Sequence, residues 1–172
     1  MNDSFAPLIE EVELLLLESV QLMAAGPQFR IIHRFQAPGT DCSPGEEIAL
    51  ISLIHRSREY PLGLPLALRL IFDYFARHRW LPQNATQIEA GMRRDTFSLR
   101  HGVYARTTRA QTRRISRSAV KEYVKRIRQA LQQAFVEAGL NLDPVRVLAS
   151  EQTICNEVAY RLKATIDWSH IR

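Results

Sequence analysis

Cysteine is nearly absent from this chain. Cys42 and Cys155 are the two in 172 residues, too few for a disulfide framework and not spaced as metal ligands. They read as free thiols of a reducing compartment. The five histidines (His33, His55, His78, His101 and His170) are scattered, with no H-x-x-x-H or C-x-x-C pattern, so neither a metal nor a cofactor is expected. The start, MNDSFAPLIEE, is acidic and lacks the positive n-region of a secretory signal. Glu10, Glu11, Glu13 and Glu18 interrupt the Leu-rich run that follows, which excludes a membrane span there. The expectation is a cytoplasmic protein with no membrane partner. Gly-rich phosphate loops, G-x-S-x-G and H-E-x-x-H are missing too. The carboxylate clusters Glu10/Glu11/Glu13 and Glu46/Glu47 read as solvated helix faces or turns, so no enzyme is expected.

Acid is missing from one long stretch. Between Arg93 and Arg128 stand twelve Lys/Arg against only Asp95 and Glu122, a local charge of +10; the total of +5 leaves −5 for everything else. A basic centre in an otherwise acidic molecule points to a localised anion-binding surface rather than general cationic stickiness. The composition, 46% hydrophobic and 24% charged, is that of a globular protein with enough chain for a core.

The stretch Arg114–Gly139 organises the rest. Val120, Val124, Ile127, Leu131, Ala134/Phe135 and Ala138 recur at helical spacing and make one apolar stripe. Ser116 suits the N-cap and Gly139 a left-handed C′ position. The other face carries Arg114, Arg117, Ser118, Lys121, Glu122, Lys125, Arg126 and Arg128. Ordinary surfaces intersperse both signs of charge, whereas this face has one carboxylate. It is expected to meet a polyanion, double-stranded DNA above all.

Around it the chain reads as follows. Ser4–Ala25 is a first helix, closed by Gly26-Pro27. Its apolar arc, widened by Leu14 and Leu17, suits either a helix wedged into the core or a dimerisation helix; the expectation is a homodimer through residues 4–25. Phe29–Phe35 and Ile48–Ile54 are strands, with a Pro/Gly-rich linker at 37–45 between them. Glu59–Leu62 is a short strand, and Pro65 opens a helix that Trp80-Leu81-Pro82 ends. Asn84–Met92 is a short helix with a capping box, Asn84 with Gln87. Asp95–Arg113 is loop-like and basic; Arg106, Arg109, Arg113 and Arg114 in and beside it can track phosphates. After the long helix, Pro144–Leu148 is a strand, Ala149–Gln152 a turn and Val158–Ile166 a second strand closing on Trp168. The domain division drawn from this is 1–47 (helix, short strand, linker) and 48–172.

The residues Val120-x-x-x-Val124-Lys125-Arg126-Ile127-Arg128-x-x-Leu131, Ala159-Tyr160-Arg161-Leu162 and Tyr60–Leu70 resemble, in order, the recognition helix, closing strand and first-helix junction of OmpR/PhoB-type effector domains, over roughly Ile48–Trp168. The resemblance implies an α+β fold, a winged helix-turn-helix with an N-terminal helical extension here. It also implies a transcriptional regulator that sets residues 116–138 in the major groove, adds Arg161 to the DNA contacts, and gives the basic loop a second use against RNA polymerase. Four residues depart from the family. Ala159 replaces a Gly, Asn156-Glu157 stands where Arg-Gly is usual, and Lys121 takes the place of a common Asp. No receiver domain fits in the first 47 residues. A winged-helix replication initiator of a plasmid or phage would share the groove chemistry. A basic-faced adaptor for an acidic protein would share only the charge. The pair His101/Arg106 is spaced H-x-x-x-x-R and so differs from the H-x-x-R box of tyrosine recombinases.

Overall fold

The computed structural model describes residues 12–17, 20, 25–36, 45–98 and 117–171, a mixed α+β chain. Strands β1 (Gln28–Gln36), β2 (Gly45–His55) and β3 (Arg58–Pro61) come first. Helix α1 (Leu66–Arg77), strand β4 (Gln83–Asn84) and helices α2 (Ala85–Ser98) and α3 (Arg117–Glu137) follow. A single turn α4 (Pro144–Val147) leads into β5 (Leu148–Gln152), β6 (Val158–Leu162) and β7 (Thr165–Ile171).

Alternation builds the larger sheet. Phe29, Ile31 and His33 of β1 point inward against Leu53, Ile51 and Ile48 of the antiparallel β2, while Arg30 and Arg34 point out. A register shift between Ile32 and His33 preserves that facing beyond it. The β2–β3 hairpin turns through Arg56 and Ser57, both at positive φ, the backbone that matches strand twist in a two-residue loop. The sheet order is β3-β2-β1-β7, with β7 parallel to β1. The line drawn after residue 47 falls inside β2, and β1 is hydrogen-bonded on both sides within this sheet.

Helix α1 lies at the centre. Leu68, Leu70, Ile71, Phe72, Tyr74, Phe75 and Ala76 are all buried, and Phe72 meets Phe29 edge-on at 5.3 Å. Arg69 ties its start to the sheet: Nε donates to Leu64 O (2.8 Å) and Nη1 to Ala49 O (3.0 Å). A buried polar knot ties its end. His33 Nε2 lies 3.5 Å from Asp73 Oδ1, and Asp73 Oδ2 accepts from Arg77 Nε at 2.9 Å. The His33 ring stacks on His170 at 5.4 Å, and Arg77 lies 5.8 Å from the Trp168 ring centre. His33, the pair Asp73/Arg77 and the pair Trp168/His170 lie far apart in sequence, so only the fold reveals the knot.

Helix α2 opens with the expected reciprocal cap: Asn84 Oδ1 accepts from the Gln87 N–H and Gln87 Oε1 from the Asn84 N–H, both at 2.8 Å. It runs past Met92 to Ser98, so the first part of the stretch read as a loop from Asp95 is helical. Helix α3 buries Val120, Val124, Ile127, Leu131, Ala134 and Phe135, the expected stripe. Gly139 stands at φ +69°, and the N–H groups of Gly139 and Leu140 donate to Val136 O (3.1 Å) and Phe135 O (2.8 Å). That is a Schellman ending, which satisfies two of the carbonyls a helix leaves unpaired.

Three expectations after α3 are corrected. Pro144–Val147 is a helical turn, because the Asp143 carboxylate accepts from the Val145 N–H (2.9 Å) and Pro144 supplies the fixed φ of a first helical residue. Ala149–Gln152 is not a turn but most of strand β5, paired from Leu148↔Leu162 to Gln152↔Val158. The expected strand Val158–Ile166 is two strands in two sheets, β6 in the order β4-β6-β5 and β7 in the larger sheet. The chain crosses between them at Lys163-Ala164, where the Lys163 N–H donates to Val147 O (2.7 Å) and the Thr165 N–H to Pro27 O (3.0 Å). Gly26, at φ +71°, packs on that crossing so closely that a Cβ would stand 2.3 Å from Lys163 O.

The described part of the first helix is exposed. Val12, Leu14, Leu15, Leu16, Leu17 and Val20 are 46 to 63% accessible, so these residues are not wedged into the core. No helix among the described residues is long and apolar enough to cross a membrane.

Candidate nucleic-acid interface

Docking the stripe of α3 onto the core turns Ser118, Lys121, Glu122, Lys125 and Arg126 outward together, all exposed. Four-residue spacing puts the Arg126 Nε within 3.2 Å of Glu122 Oε1, an exposed pair worth a few tenths of a kcal/mol (about 0.3–0.5). Lys121 and Lys125 lie one turn apart on the same line. Arg117 is the first residue of α3. Arg106, Arg109, Arg113 and Arg114 lie outside the described residues.

Arg128 does something else. Its Nε (3.0 Å) and Nη2 (2.6 Å) both donate to Leu148 O, and Nη2 also reaches Ser150 Oγ at 2.7 Å. The guanidinium is thereby turned from the outward face to the first residues of β5. Burial holds its pKa below the ordinary arginine value, with the nearby Tyr160 and Asp143 opposing that shift. Tyr160, buried against it, has its phenol pushed up by burial, partly offset by the Arg128 charge. Arg128 is a strut between helix and hairpin, which alters the expectation of a phosphate contact at this position.

Arg161 is engaged as well. Its Nη2 donates to Glu151 Oε2 across the β5–β6 pair at 2.5 Å, so a carboxylate already answers its charge. The hairpin is anchored a second time at α2, where Asn84 Nδ2 donates to Glu157 Oε2 at 2.8 Å. Strand β4 adds a third tie, Gln83↔Tyr160 and Asn84↔Ala159. The two helix starts and the hairpin thus bound an open cleft of about 290 Å³, lined by Thr86, Ser118, Lys121, Asn156 and Glu157 among others.

Sequence reasoning found the outward face of α3 from its periodicity. It missed the strut, the Asn84–Glu157 tie and β4. Asn84 offered a partial signal, since its cap function was legible while its amide was left over for another partner. Among the described residues no group of three or more His, Cys, Asp or Glu is placed to hold a metal ion. No protein-family model, curated protein sequence or solved structure matches the chain.

Proposed function

We propose that this chain is a winged-helix, sequence-specific DNA-binding protein acting in transcriptional regulation, with α3 as its recognition helix and the β5–β6 hairpin as its wing. What supports the reading is the order helix, short strand, helix, long helix, hairpin, with the short strand β4 joined to the hairpin strand β6. The observation that carries it is the outward face of α3. Lys121 and Lys125 stand in line on a helix whose opposite side is buried, beside a hairpin pinned to that same helix by Arg128. A helix of this kind fits the major groove, where side chains of its first half reach base edges and flanking cations meet phosphates. The basic stretch at 99–116 adds sequence-independent attraction to the duplex or a contact for RNA polymerase.

The test is a binding titration on a duplex selected from a random library and on its scrambled counterpart, at two salt concentrations. Lys121→Ala and Lys125→Ala should each lose about 1–3 kcal/mol on the selected site and little on the scrambled one. Equal losses on both would make α3 an electrostatic anchor, and no sequence preference at all in the wild type would sink the reading. Replacing Arg106, Arg109 and Arg113 by Ala should lower both affinities alike and flatten the salt slope.

The exposed apolar residues from Val12 to Val20 support self-association, which would set two α3 helices on paired half-sites. Removing residues 1–26 should give a folded monomer with weaker binding to the selected site, checked by sedimentation and titration. Unfolding of the truncated chain would mean that the segment serves the fold instead.

A further inference from the structure

The tip of the β5–β6 hairpin carries no cation. Thr153, Ile154, Cys155 and Asn156 are uncharged, and the flanking carboxylates of Glu151 and Glu157 accept hydrogen bonds from Arg161 and Asn84. What the tip presents is Ile154, which is fully exposed. A single exposed apolar residue is ordinary on a protein surface. This one differs in how it is held.

Three hydrogen bonds close the turn. The Thr153 N–H donates to Glu157 O (2.8 Å), the Asn156 N–H to Thr153 O (2.9 Å) and the Glu157 N–H to Thr153 Oγ1 (3.2 Å). Asn156 takes φ +59°, a conformation asparagine tolerates better than most residues. At its base the hairpin is fixed to α3 by Arg128 and to α2 by Asn84. Ile154 is therefore a β-branched side chain with few rotamers, on a closed turn, at a set position relative to α3.

Resting on the reading of α3 as the recognition helix, we propose that Ile154 is a minor-groove wedge. With α3 in the major groove, the tip of the hairpin meets the adjoining minor groove, and the branched sec-butyl side chain of Ile154 inserts at a base step there. Apolar wedges of this type unstack a step and bend the duplex, and pyrimidine–purine steps deform at least cost. The wing then reads deformability instead of charge. The selected site should hold two parts: a core read by α3 and a pyrimidine–purine step on one flank.

Selection of the full chain from a random duplex library tests this, followed by titration and a phased-bend gel assay. Ile154→Ala should keep the core motif, lose the flanking preference and reduce the bend. It should also bind the wild-type site about tenfold more weakly, with its melting temperature unchanged because nothing in the fold rests on that side chain. Ile154→Lys should gain affinity evenly over all sequences without recovering the flank preference. The wedge is overturned if Ile154→Ala retains both affinity and flank preference, or if Ile154→Lys retains the preference. If Lys121→Ala erases the core motif while Ile154→Ala changes nothing, DNA reading by α3 stands and the wedge alone falls. Failure of the wild type to enrich any sequence removes both.

Discussion

The two ends of the molecule treat charge differently. On the larger sheet, Arg30 of β1 is matched by carboxylates of two other strands: it donates to Asp167 on β7 (2.7 Å) and pairs with Glu59 on β3. Within α1, Arg77 rests on the buried Asp73 one turn before it. On α3, Arg126 pairs with Glu122 while Lys121 and Lys125 stand exposed, and Arg128 turns to Leu148 O of the hairpin, whose own Arg161 on β6 is paired with Glu151 on β5. The sheet uses charge to hold strands in register. The helix keeps two lysines outward and uses Arg128 as its fastener to the hairpin. Counting basic residues along Arg93–Arg128 therefore overstates what a polyanion could meet, because a cation committed to a buried carbonyl is no longer available at the surface.

The comparison breaks most severely at Asp73. Asp73→Ala removes the buried carboxylate that lies against His33 and accepts from the part-exposed Arg77, and losing such a charged hydrogen-bond acceptor costs roughly 2–3 kcal/mol. Chemical denaturation should record that loss while the sequence preference of the folded fraction stays unchanged. An altered preference would mean that the sheet and α3 are not separate in their roles.

Arg128→Ala tests the boundary between fastening and binding. It leaves Leu148 O and Ser150 Oγ without their donor at the base of the hairpin, a loss of about 1–3 kcal/mol in stability. Protection from hydrogen exchange should fall across β5 and β6 before any other element. If stability holds and affinity for all duplexes drops evenly, the side chain contacts phosphate and the strut account is wrong.

The smallest effect expected is at alkaline pH. The Tyr160 phenol has a folded pKa raised above its unfolded value of about 10, so the folded state binds the more protons just above that pH. Its contribution is complete below about pH 10 and declines as pH rises toward the folded value. Tyr160→Phe should flatten that decline in a melting series from pH 9 upward (roughly the range in which phenols ionise). An identical slope in both proteins would show that Tyr160 does not carry the effect.

The sequence by itself determined what local periodicity and local chemistry can encode. A 3.6-residue apolar repeat settled α3, because burying one stripe leaves the opposite face no choice but solvent. The Asn84/Gln87 cap and the Gly139 ending were legible for the same reason: each involves backbone groups within one turn of the residue that satisfies them. Beyond that range local signals failed or misled. Ala149-Ser150-Glu151-Gln152 has little strand propensity and is a strand only because β6 lies beside it. Val145-Arg146-Val147 has strand-like residues and is helical because Asp143 caps it. One continuous run from Val158 became two strands because Val147 and Pro27 each take one of its amides. Only the tertiary structure decided that Arg30 and Asp167, 137 residues apart, share a sheet, that Arg128 points to the hairpin, and that Ile154 stands alone at its tip. Such pairings depend on where the whole chain returns in space, and no window of sequence contains both partners.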